Sequence, residues 1–244
     1  MFLPSIILQI EDLAGSEELL FSHMLARMGL SDGLRVLGLM NRLSSAQDGA
    51  GMDLLSWASR GGDEACLLLA GEVCGAGEGD AWDGRPLHHW AESKSGAGAG
   101  AGAQILLALG GDPAARDKWG LLPMHWSHEA GFWAWSMAAL WSRGQPNEWM
   151  ECLGVSYQDV SRRLDNGGFV DWVDKSRSAR RVTLAPDVPS KRDAALEKRL
   201  SESEWLAQMS ERRVVLRQME AAQNCIAKKL GIELFDHAKT MTLN

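Results

Sequence analysis

An internal repeat constrains this chain more than any other feature. Three segments line up along it: Asp53-Leu54-Leu55-Ser56-Trp57-Ala58, Pro86-Leu87-His88-His89-Trp90-Ala91 and Pro123-Met124-His125-Trp126-Ser127-His128. The first two begin 33 residues apart and the last two 37. A period of this size marks stacked supersecondary units, none of which can bury its apolar face alone. The four surplus residues of the second spacing have a home in the small-residue tract Gly96 to Gly102. That tract is expected to form a turn between two helices, because glycine weakens helices and a loop lengthens at little cost.

The junctions between units carry turn chemistry. From Leu106 to His125 the chain reads Leu-Leu-Ala-Leu-Gly-Gly-Asp-Pro-Ala-Ala-Arg-Asp-Lys-Trp-Gly-Leu-Leu-Pro-Met-His. A helix ends at glycine, a Gly-Asp-Pro turn follows, and Asp117-Lys118-Trp119-Gly120 makes a hairpin tip. Pro123 then sits in the first turn of the next helix, where its missing N–H does no harm. An earlier copy runs from Asp80-Ala81-Trp82-Asp83-Gly84 through Arg85-Pro86-Leu87-His88.

This stretch resembles the ankyrin-repeat family, and the likeness extends over residues 53 to 144. It implies an all-α fold, an ankyrin-like α-solenoid of helix pairs joined by short hairpin turns. It also implies a non-catalytic adaptor or inhibitor that grips a partner protein through a concave face of tips and inner helices. Trp82, Arg85, Lys118, Trp119 and Trp126 fall on the positions such relatives use, and Trp and Arg dominate binding hot spots. Two departures stand out. Arg85 and Leu122 replace the usual Thr before Pro, so the family's Thr–His hydrogen bond at the helix start is not expected in its usual form. Trp57 and Trp90 replace small residues, so the inner helices are expected to stand further apart.

The flanks are less regular. Ser16 to Met28 and Ser31 to Leu43 form an amphipathic pair, giving an N-terminal helical cap over residues 1–52. Repeats and closing helices are expected over 53–175, including Phe132 to Arg143, Tyr157 to Leu164 and Phe169 to Val173. Residues 176–192 hold two prolines and no helical period, and read as a linker. A long helix, capped by Asp193, is expected within 193–236, with a tail at 237–244. Its apolar positions Trp205, Met209, Leu216, Met219, Ile226 and Leu230 follow a heptad-like register, interrupted by Arg212 and Gln223. Such a seam docks within the chain or drives self-association through 193–230, which makes an oligomerising structural subunit the second functional reading.

Charge divides the chain in the same place. Residues 1–174 carry 11 Lys/Arg against 23 Asp/Glu, and residues 175–244 carry 14 against 9. An acidic body repels phosphates, so nucleic acid is a poor partner for it. The basic arm either folds back on the body or offers a second surface. Eleven tryptophans against five phenylalanines and one tyrosine are read first as core filling and second as an aromatic binding face.

Little in the chain suggests chemistry. His88, His89, His125 and His128 form the one cluster of metal-ligand type, but no carboxylate or cysteine completes a ligand set, so neither metal nor cofactor is expected. No phosphate loop or nucleophile elbow occurs, and no small-molecule substrate is expected. Cys66, Cys74, Cys152 and Cys225 are widely spaced, which suits a reducing, cytoplasmic setting. Residues 1–10 are apolar but too short to span a bilayer, and read as a packed segment; no other run approaches 18 apolar residues. The chain is therefore expected to be soluble. A secreted microbial effector or a toxin-neutralising immunity-type protein stays open as a third reading.

Overall fold

The computed structural model describes residues 15–93, 99–127, 135, 136, 139 and 202–230. Among them the chain is helical, with no strand. Gly15–Arg27 (α1) pairs with Ser31–Leu39 (α2), Leu54–Gly61 (α3) with Glu64–Cys74 (α4), and Pro86–Glu92 (α5) with Ala99–Ala108 (α6). Pro123–Trp126 (α7) opens a further unit, and Glu202–Lys229 (α8) is the long C-terminal helix. Trp135, Ser136 and Ala139 are helical within the expected segment 132–143. The helices expected at 157–164 and 169–173, the linker 176–192, the cap at Asp193, the N-terminal segment and the tail lie outside the described residues.

Local chemistry explains where the helices start and stop. Asp53 caps α3 by accepting from the Ser56 N–H at 2.7 Å, and Asp63 caps α4 by accepting from the Cys66 N–H at 2.8 Å. Between them Gly62 sits at φ 78°, a left-handed conformation that ends α3 at small cost because glycine has no Cβ. The result is a hairpin of two helices with almost no loop. Helices α1, α3, α5 and α7 pack in one row, each on the next, while α2, α4 and α6 form a second row behind it. Leu34, Leu37, Leu54, Leu55, Trp57, Leu67, Leu87, Trp90 and Leu106 fill the space between the rows. Each such side chain contributes about 1.5–3 kcal/mol by leaving water.

The Gly-Ala tract departs from expectation. Helix α6 begins inside it at Ala99, and Gly102 is buried within the helix rather than in a turn. A Cβ at Gly102 would lie 2.2 Å from the Trp90 ring. The large indole thus takes the volume that a side chain on α6 would fill, and tertiary packing overrides glycine's poor helix propensity. Room for Trp90 comes at least partly from the outer row.

The hairpin tips repeat in atomic detail. Asp48, Asp80 and Asp117 each open a tip, and each accepts through Oδ1 from the backbone N–H groups two and four residues on, at 2.8–3.1 Å. The backbone N–H of each Asp donates in turn to the carbonyl four residues later: Met52, Gly84 and Leu121. The fourth residue of each tip has positive φ: Gly51 at 73°, Asp83 at 59° and Gly120 at 77°. Oδ2 of each Asp meets the side chain nine residues on. Trp57 Nε1 donates to Asp48 at 2.8 Å, Trp126 Nε1 donates to Asp117 at 2.7 Å, and His89 Nε2 lies 3.3 Å from Asp80. One backbone bond joins successive tips, from Ala81 N–H to Ala50 and from Lys118 N–H to Trp82.

Candidate functional site: an arginine slot on the inner face

The C-terminal helix lies across the inner row. Its buried positions are Met209, Arg212, Leu216, Gln223, Ile226, Ala227 and Leu230, with Met219 half-buried against Gly49 of the first tip. Steps of three and four residues place these positions on one stripe of a helix. Side-chain bonds fix its course. Trp119 Nε1 donates to Gln208 at 2.9 Å, Arg60 meets Glu220 at 3.4 Å, and Arg27 reaches Gln223 and Asn224 at 2.7 and 2.6 Å. Lys229 pairs with Glu17 at 2.9 Å. Helix α8 therefore runs against the order of the stack, from the third tip back to α1.

Arg212, the first polar break in the heptad seam, is only 1% exposed. Its guanidinium carbon sits 4.2 Å from the centre of a Trp126 ring, a cation–π contact. Its two terminal nitrogens donate to the two carboxylate oxygens of Glu92 at 3.2 and 3.0 Å, the fork geometry that suits arginine and not lysine. Arg60 also donates to Glu92, sharing its Oε2 with Arg212, at 2.7 Å. The slot is thus floored by an indole and walled by a carboxylate, and each wall is braced. Trp126 is held by Asp117 and flanked edge-on by the rings of His88 and His89.

Electrostatics follow from this packing. Burial alone would raise the Glu92 carboxyl, but Arg212 and Arg60 overcome it and draw it down to about 2. Glu92 keeps about a third of its side chain open, so solvent screens part of that attraction. Burial would also raise Asp48 and Asp80. For Asp48 the neighbouring His23 and Trp57 outweigh it, for Asp80 His89 and Arg212 do, and both are held below the usual carboxylate range. At Asp117 burial wins and pushes the group up to about 6, despite the three hydrogen bonds it accepts.

The five sequence-derived contact residues divide. Arg85 and Lys118 are exposed, and Arg85 lines an open cleft of about 360 Å³ with Gly77, Gly111 and Arg116. Trp82, Trp119 and Trp126 are 7%, 8% and 3% exposed. Trp119 and Trp126 act through the helix they hold, whereas Trp82 packs in the second tip and accepts the Lys118 N–H through its carbonyl. From sequence, Asp80 and Asp117 are named in the tips but given no role, Glu92 and Asp48 are passed over, and Arg212 reads as an interruption. The spacing of nine from each Asp to Trp57, His89 or Trp126 was the available signal.

The histidines have structural work. His88 Nδ1 accepts the Arg85 N–H at 3.1 Å and its Nε2 bonds the Leu121 carbonyl at 3.1 Å; His125 Nδ1 accepts the Leu122 N–H at 2.9 Å. Each closes a helix start without a threonine. Burial pushes His88 down to about 3 and His125 to about 4, so both stay neutral near pH 7. Among the described residues no three His, Cys, Asp or Glu side chains are placed to share a metal ion, and His128 lies outside them. Burial raises the thiols of Cys66 and Cys74, the latter to about 11, which keeps them protonated and poorly nucleophilic. No described helix is long and apolar enough to cross a membrane. No protein-family model matches the sequence, and no curated protein matches it.

Proposed function

We propose that this chain is an ankyrin-type helical solenoid acting as a non-catalytic protein-binding module, an adaptor or inhibitor for another protein. The observation that carries this reading is the inner face seating an amphipathic helix through a braced slot for Arg212. Binding polypeptide is what that surface does within its own chain. The shared hydrogen-bond register of the tips at Asp48, Asp80 and Asp117 supports the repeat assignment. Arg85 and Lys118 are the exposed contacts through which the tips meet a partner. Neither cofactor nor small-molecule substrate enters this reading, and the free thiols of Cys66, Cys74 and Cys225 suit a reducing compartment.

The test compares affinity capture from the native organism by the full chain and by an Arg85→Glu, Lys118→Glu variant. Loss of a specific partner by at least tenfold, with an unchanged thermal melt, is the expected result. Identical capture by both proteins rejects the tips as the contact surface. The oligomerising reading draws on the same helix, but α8 spends its seam within the chain. Light scattering on the full chain is expected to give the mass of one copy.

A further inference from the structure

We infer that the slot formed by Trp126, Glu92 and the tip carboxylates is a receptor for an arginine-bearing amphipathic helix of a partner protein, with α8 as its resident stand-in. The inference rests on the protein-binding reading above and names the chemistry of the partner. That partner helix carries an arginine with apolar side chains three residues before and four after it, as Met209 and Leu216 flank Arg212.

Three observations converge on this occupant. The first is shape: a flat indole 4.2 Å from the guanidinium and a carboxylate taking both of its terminal nitrogens select a planar, forked cation. The second is charge. Asp80 and Asp117 stand close enough for Arg212 to favour their ionised forms, so the slot attracts a cation before contact is made. The third is that the resident helix fits imperfectly. Arg212 Nε and Gln223 Nε2 on α8 are buried without a hydrogen-bond partner among the described residues. A buried polar atom left unpaired weakens the contact that buries it. A partner helix that seats its arginine without stranding donors of its own binds more tightly than α8 and displaces it, which is the logic of competition between a tethered ligand and a free one.

The experiment uses the full chain and a fluorescein-labelled peptide of residues 202–230, followed by anisotropy. Arg212→Ala in the full chain loosens the resident helix, and Met219→Ala is a second, milder way to do so should the first variant fail to fold. Either variant is expected to bind the labelled peptide at least tenfold more tightly than the wild-type chain. A peptide carrying Arg212→Ala is expected to bind at least tenfold more weakly. An unlabelled helix that keeps only Met209, Arg212, Leu216, Met219, Gln223 and Ile226 is expected to displace the probe. Equal binding of the two peptides, or no binding by folded variants, overturns the inference. A concentration-dependent doubling of the wild-type mass also overturns it, because the occupant is then a second copy of this chain. If the peptide fails while Arg85 and Lys118 still govern partner capture, this inference falls alone. If the peptide binds and the tip variant captures normally, the slot stands and the tip surface falls.

Discussion

Two kinds of helix contact hold this molecule together, and they are built differently. Within the stack, α3 and α5 meet their neighbours through Leu54, Leu55, Trp57, Leu87 and Trp90, and the indole Nε1 of Trp57 reaches the carboxylate that opens its own tip. Against α8 the same inner row uses Arg212, Gln223, Gln208 and Glu220, joined to residues more than eighty positions away. The first contact is local, apolar and cooperative with its own turn. The second is distant and sets charged and amide pairs among its apolar side chains. Where helices stack in a row, contacts of the first kind add up from neighbour to neighbour; contacts of the second kind are expected to open first.

The sharpest way to break this distinction is to remove a shared element of the stack. Trp57→Ala empties a fully buried site and removes the indole hydrogen bond to Asp48 Oδ2, and it is expected to cost about 3–5 kcal/mol. Hydrogen exchange is then expected to accelerate throughout α3, α4 and α8 together; acceleration confined to α8 would contradict it. Next comes Arg212→Ala, which leaves Glu92 without its fork and is expected to cost about 3 kcal/mol. Here the loss of protection is expected in residues 202–230 with α3 and α4 little changed. Arg212→Met also takes the fork from Glu92 but keeps apolar side-chain volume over Trp126, so it is expected to cost less than Arg212→Ala in the melt.

The pH profile sharpens the comparison further. Glu92 is depressed to about 2 in the folded chain, so its contribution is present above its ordinary value near 4.5 and is lost as pH falls toward 2. The difference in melting temperature between wild type and Glu92→Gln is therefore expected to be greatest near neutral pH and to close in acid. A difference that grows in acid would reverse the assignment of cause. The smallest effect belongs to Lys229→Ala: the ammonium is more than half exposed, and its pairing with Glu17 is worth about 0.5 kcal/mol or less. A shift of several degrees from that change would mean that α8 is held at its end rather than at Arg212.

Much of the architecture was legible because it is written in local chemistry. Pro86 and Pro123 announced helix starts, and Asp117 to Gly120 announced a tip. The heptad seam correctly named Met209, Leu216, Ile226 and Leu230 as the face that packs. Three features escaped for one physical reason: their meaning depends on a neighbour far along the chain. Gly102 reads as a helix breaker until Trp90 fills its place. Trp119 and Trp126 read as surface anchors until α8 covers them. Arg212 reads as a flaw in an apolar stripe, and periodicity alone holds no information about a carboxylate and an indole waiting opposite it.

The tip aspartates have a consequence for the chain's history. Each one closes its turn with its own backbone and meets a side chain nine positions later, while one backbone N–H ties the second tip to the first and another ties the third to the second. A copied stretch of DNA spanning one such segment would carry with it the chemistry that closes the new turn and the N–H that attaches it to the old one. The unequal spacings, 32 residues from Asp48 to Asp80 and 37 from Asp80 to Asp117, show that the closure tolerates added length elsewhere in the segment. Lengthening by duplication is therefore cheap for this molecule along the stack, whereas α8 has a fixed span and sets how many copies one helix can cover.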